Sequence, residues 1–171
     1  MYEFFGILIM VASLLGMVAV VVAGVGFILP RDHVSIASRK IAASPDLVWT
    51  AITDHASAPT WRTSLGSVER LPDRNGREVW LESPKKGSPL VLLILESNPP
   101  RELVHRIDDE TLPFGGSWSF RISPVAGGSL VMITENGFVS NIFYRFMSRF
   151  VLGHKKSLNV YLDDLENKFK R

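Results

Sequence analysis

The side chains best able to move a proton are few in this 171-residue sequence, and two of them sit in apolar company. Glu135 belongs to LVMITENGFV (130–139), where strand alternation puts Ile133 and Glu135 on one side and Met132 and Thr134 on the other. Facing an apolar interior, Glu135 would have its pKa raised and become an acid, a base or a ligand anchor; facing water, it is a solvated strand residue. Alternation alone leaves both open. His154 follows the helical phase of Phe143, Phe146, Met147 and Phe150. An imidazole there is placed to hydrogen-bond a ligand or act as a general base, or to sit satisfied at the edge of a core. Glu135 and His154 are therefore the candidate catalytic residues.

Other chemistries lack their residues. The sequence has no cysteine, no GxSxG and no HExxH, and His33, His55, His105 and His154 are far apart. The expectation is no metal, no cofactor and no covalent nucleophile. Neither GGSWS (115–119) nor VAGGS (125–129) has the spacing of a phosphate-binding loop. With 19 Lys and Arg against 17 Asp and Glu, the net charge is +2, too balanced for a nucleic-acid binder, so no nucleic-acid partner is expected.

What remains is aromatic and apolar. Trp118 and Phe120 share one strand face with Ile122 and meet a ligand if that face is concave. Trp80, Met132 and the helical rings Phe146 and Phe150 are further candidate lining residues, and Phe114 lies in a loop able to open and close. Core packing is the alternative role for each large ring.

These residues need elements to hold them. Residues 33–41 alternate as a strand. SPDLVWTAITD (44–54) then carries a capping Ser44, Pro45 at the first helical position and Asp46 at the positive end of the dipole. Strands follow at 67–72, 77–83, 90–97, 102–108, 117–123 and 130–139, divided by DRNG, PKKGSP, NPPR, LPFGG and PVAGG. Such short connections predict antiparallel pairing. Beyond Ser140, apolar residues recur at threes and fours from Phe143 to Phe169, which predicts one long amphipathic helix, with Gly153 a possible bend. The order predicts an α+β domain in which a curved sheet buries its inner face under the last helix, and a gap between these layers is an apolar pocket.

Ahead of the domain, the 26 residues Phe4–Leu29 carry no charge. As a helix they would reach ~39 Å, more than the ~30 Å of bilayer hydrocarbon. The run is longer than a secretory signal and lacks a basic start, so residues 1–30 are expected to form a permanent transmembrane anchor and residues 31–171 a single domain, with a cleaved signal the alternative. Arg31, Arg39 and Lys40 follow the run, which leans the domain towards the cytoplasm. Ala12, Gly16, Ala19 and Ala23 have the small-xxx-small spacing of helix pairs but leave the oligomeric state open. Arg145, Arg149, Lys155 and Lys156 would either solvate the last helix or meet anionic head groups.

ASPDLVWTAITDHASAPTW (43–61) resembles the opening helix motif of the START-like, helix-grip superfamily, which includes polyketide cyclases, lipid-transfer domains and the Bet v 1 allergens. FGGSWSFRISPVAGGSLVMITENGFVSN (114–141), with the aromatic helix after it, resembles the strand hairpin and closing helix of bacterial members. The resemblance implies a cavity under the long helix for a hydrophobic or lipid-like small molecule, with Trp61 at its mouth. On this basis the expected function is membrane-anchored binding, transport or sequestration of such a ligand. The first alternative is a cyclase or dehydratase using acid–base residues, Glu135 with His154, in the same cavity. The second is a protein-interaction module of the chaperone-activator kind, which would show an exposed apolar patch instead.

Overall fold

The structure is a computed structural model describing residues 2–153 and 155–170, apart from the side chains of Tyr2, Val151 and Leu152. Helix α1 (Tyr2–Ile28) is continuous and exposes apolar side chains all round, as its uniform composition requires. Strand β1 (Asp32–Ile41) follows almost at once. Helix α2 (Pro45–Thr53) begins where Ser44 Oγ accepts from the Leu47 amide at 3.4 Å, and Asp54 then caps a 3₁₀ turn (His55–Thr60).

Strands β2 (Leu65–Arg74), β3 (Arg77–Pro84), β4 (Leu90–Asn98), β5 (Glu102–Ile107), β6 (Phe114–Val125) and β7 (Gly128–Val139) complete the expected set. All pairings are antiparallel, in the order β1-β7-β6-β5-β4-β3-β2. Asn75 and Gly76 both take positive φ at the β2–β3 reversal, as a two-residue hairpin with the twist of its strands demands.

Helix α4 (Lys156–Lys168) grips the sheet. Leu158, Tyr161, Leu162 and Leu165 are buried against Ile41, Phe120 and Ile133 of the sheet and Val48 and Ile52 of α2. Arg39 on β1 bonds Asp163 of α4, and Glu166 lies 3.6 Å from the same guanidinium. This is the α+β helix-grip arrangement, with the core between the inner sheet face and α4.

The single long terminal helix is not what forms. Helix α3 (Ile142–Met147) and a π turn (Ser148–Leu152) end at Gly153, whose φ of 72° turns the chain before α4 begins. The apolar period runs unbroken through this point, so the interruption comes from backbone geometry that glycine permits and pattern does not display. Its consequence is a division of labour: α4 covers the sheet, while α3 packs on the end of α1. Gly26 is buried there, and a β-carbon on it would stand 2.1 Å from the carbonyl oxygen of Ile142. Arg145 ties the junction together, donating to the carbonyls of Val139 at 2.8 Å, Ser140 at 2.9 Å and Leu29 at 3.4 Å.

Candidate functional site

Between the inner sheet face, α4 and the α3 segment lies a cavity of about 390 Å³. Leu90, Leu92, Ile107, Phe114, Trp118 and Phe138 make its walls apolar. Its volume is within the ~300–1,000 Å³ of small-molecule pockets. Two regions are different: Arg62, Glu82, His105 and Tyr161 form a polar floor, and His33 with Glu135 makes a smaller polar patch. The same four side chains wall a second void of about 10 Å³ on the side of Trp61 and Phe120, so they form a partition between the cavity and the packed core.

Each member of the floor is placed by its element. The 3₁₀ turn ends with the Arg62 amide donating to the Ala58 carbonyl at 2.9 Å. The next residue, Thr63, donates from its amide and hydroxyl to the buried Asp164 carboxylate of α4, at 2.7 and 3.0 Å. Arg62 is thereby fixed beside α4, its guanidinium 5.0 Å from the centre of the Tyr161 ring and ion-paired with Glu82. Glu82 enters from β3 by alternation with Trp80. His105 on β5 stands directly across from Trp118 on β6, and the two rings stack at 6.0 Å.

Electrostatics follow from this enclosure. Burial works against the Glu82 carboxylate, but the charge and hydrogen bond of Arg62, with smaller help from His105 and His55, hold its pKa below the ordinary value. Burial likewise opposes the Arg62 charge and is outweighed by Glu82. Burial pushes the His105 pKa from 6.5 down to about 4, against the pull of Glu82, and pushes the Tyr161 hydroxyl up despite Arg62. At neutral pH the floor therefore presents a fixed ion pair, a neutral imidazole and a neutral phenol. The buried Nδ1 of His105 has no hydrogen-bond partner among the described residues.

The sequence profile of the family described as polyketide cyclase / dehydrase and lipid transport matches residues 33–159. The chain belongs to this family. Solved structures with the family's helix-grip fold include a Mesorhizobium loti protein (19% identity, 81% of this chain and 98% of that one, TM-score 0.63). A START superfamily protein from Mycobacterium smegmatis matches at 13% identity over 81% of this chain and 97% of its own, with a TM-score of 0.65. An aromatase/cyclase from a Streptomyces species matches at 14% identity over 82% and 94%, with the same TM-score. At these identities the likeness is one of fold. Among curated proteins, no sequence matches this one.

Within this family member, Phe114, Trp118 and Glu135 line the cavity. Glu135 lies on the inner face, where it stands across from Trp118 and Ser35, and its Oε1 is 3.9 Å from His33 Nε2. Other candidates do not reach the cavity. Met132 shares the outer side of β7 with Thr134, opposite Ile133 and Glu135, because the pleat alternates. Trp80 stacks on His55 at 4.8 Å and donates to Glu78, away from the cavity lining. Trp61 and Phe120 are buried beyond the polar floor. Phe146 and Phe150 pack on each other at 5.0 Å, and in their segment it is Tyr144 and Ser148 that turn inward. Packing of α3 on α1 sets this phase, so a stripe continued from α4 points the wrong way. His154 lies outside the described residues. Among the described residues, no group of three or more His, Asp or Glu is placed to hold a metal.

The polar floor is what sequence reasoning missed. Glu82 shares a strand face with Trp80, and His105 shares one with Leu103, which is the signal that polar groups point inward.

Proposed function

We propose that this chain is a single-pass membrane protein, with residues 1–30 as anchor and 31–171 as the domain, that binds a hydrophobic or lipid-like small molecule. Supporting the anchor is α1, the one described helix long and apolar enough to cross a membrane. The observation that carries the binding reading is an apolar cavity closing on a buried polar floor. An apolar body packed on Leu92, Ile107, Phe114 and Trp118 gains about 25 cal/mol per Å² of surface removed from water. A carbonyl, hydroxyl or carboxylate end meets the polar floor at Arg62 and Tyr161, with the His105 ring beside them, which fixes its orientation. Apolar molecules concentrate in bilayers, so a tether shortens their route to the pocket. Arg31, Arg39 and Lys40 favour a cytoplasmic domain.

The test is mass spectrometry of small molecules retained by the full chain after gentle detergent extraction, beside Ser157→Trp, which adds bulk at an exposed lining position. Wild type should carry an apolar molecule that the variant loses. Equal retention, or none in either, would refute the reading.

A second reading, an acid–base enzyme of the cyclase or dehydratase kind, draws on His105, enclosed yet neutral, beside Tyr161 and Glu135 in one cavity. It predicts that Glu135→Gln retains a chemically different molecule, the unconverted substrate, where wild type retains product.

A further inference from the structure

Apart from α1, the exposed aromatic side chains among the described residues, with one methionine, fall in a single segment. Phe143 is 47% exposed, Tyr144 52%, Met147 41% and Phe150 61%, all within α3 and the π turn after it. The exposed apolar residues elsewhere are aliphatic and spread out: Val34 and Ile36 on one face of β1, Leu47 on α2, Val125 on β6 and Leu130 on β7. The cluster has a neighbour that identifies its surroundings, since α3 packs directly on the end of α1. Val22, Ala23, Val25 and Leu29 are half-buried there and Gly26 fully, while the preceding turns of α1 are exposed all round. As a helix, the uncharged run exceeds the bilayer hydrocarbon by about 9 Å, a little under two helical turns. That surplus is comparable to the length α3 covers, so α3 stands at the depth where hydrocarbon gives way to head groups.

A second cavity, of about 610 Å³, opens at this junction between the end of α1, the start of β1 and the π turn. Arg31, Arg145, Arg149 and Lys155 line it, with Asp32 the only acidic residue among the described lining residues. His33, Val139, Ser148 and Gly153 wall both this cavity and the apolar one beside it. Apolar rings and clustered cations on one short segment are the two chemistries an anionic lipid surface satisfies together.

We propose that α3 and the π turn are docked in the head-group layer of the membrane crossed by α1, with Phe143, Met147 and Phe150 among the acyl chains and the cationic cavity holding the phosphate of an anionic lipid. This rests on the anchor reading above. It commits the surface to the bilayer rather than to a protein partner because the patch is continuous with α1. It also places Tyr144 and Ser148, which line the ligand cavity from the same segment, at the lipid boundary, so the cavity opens towards the membrane rather than towards bulk water.

The absence of cysteine makes the test direct. Full-length chains carrying one spin label at Met147→Cys, Phe150→Cys, Leu15→Cys or Arg121→Cys are reconstituted in phosphatidylglycerol–phosphatidylcholine nanodiscs and in phosphatidylcholine nanodiscs. Collision with oxygen reports lipid; collision with a water-soluble nickel chelate reports solvent. In the anionic discs, labels at 147 and 150 should favour oxygen several-fold more than the label at 121, on the outer sheet face, and this preference should weaken in phosphatidylcholine alone. Adding Arg149→Gln with Lys155→Gln should abolish the difference between the two lipids. Labels at 147 and 150 as wet as the one at 121, with 15 still in lipid, overturn the docking and leave the anchor standing. A wet label at 15 overturns both. Labels at 147 and 150 shielded from both reagents mean a protein covers the patch, and a lipid preference that survives the double substitution removes the phosphate site; either result overturns the proposal.

Discussion

Arg62 and Glu82 illustrate why a buried charge is kept only where its partner is held as firmly as itself. Thr63 bonded to Asp164 fixes one side of the pair, and strand β3 fixes the other. Arg62→Met leaves Glu82 enclosed and uncompensated, and should cost about 3–5 kcal/mol in urea unfolding. Pairing it with Glu82→Leu should recover most of that stability while abolishing retention of the apolar molecule, which separates the structural from the binding role. His105 supplies a pH signature. Its pKa is about 4 in the folded chain against an ordinary 6.5, because burial outweighs Glu82. The unfolded chain therefore takes up its proton first as pH falls. Stability is fully present above pH 6.5 and is lost between there and about pH 4, on the order of 3 kcal/mol from this group. His55, buried and also lowered, acts in the same direction. Unfolding free energy measured across this range should slope less in His105→Gln than in wild type; identical slopes would show that His105 is not shielded. None of the four floor residues was a site candidate at the level of sequence. A glutamate and a histidine in strands read as solvated until the curvature of the sheet says which face is inside, and the pairing of Arg62 with Glu82 joins residues that no spacing rule connects.

At the scale of elements, legibility divides along the physics of the local chain. Every strand was readable, because Asn-Gly, Pro and Gly-Gly mark each reversal and alternation fills the intervals; α2 was readable from its cap and proline. The terminal helix is legible in part: Gly153 marks the bend, but a 3.6-residue period does not say that its backbone leaves the helical region and divides the helix in two. That break frees α3 for α1. The contact is close enough for a direct experiment: Gly26→Ala puts a β-carbon against the Ile142 carbonyl, where backbone must give way. Hydrogen exchange at the amides of 142–147 should accelerate in the variant, with exchange in β6 and β7 unchanged. Equal protection in α3 would mean that the two helices do not rest on each other. Core positions of α4 should behave differently, since Leu162 is fully buried and Leu162→Ala should cost about 2–5 kcal/mol of global stability.

Taken whole, the molecule is an apolar helix joined to a cup. The full chain should remain with membranes through alkaline carbonate and high salt and be released only by detergent; release by carbonate would remove the anchor. The joint between the two parts has a further consequence. Between the end of α1 and the first residue of β1 lie only Leu29, Pro30 and Arg31, and the Arg31 carbonyl is already taken by the Val139 amide at 2.9 Å. With Arg145 gripping the Leu29 carbonyl from the far side, the joint has no swivel. The cup cannot tumble like a bead on a string. Its azimuth about the helix axis is set once, at folding, and under the anchor proposal every encounter with the surrounding leaflet finds the same rim.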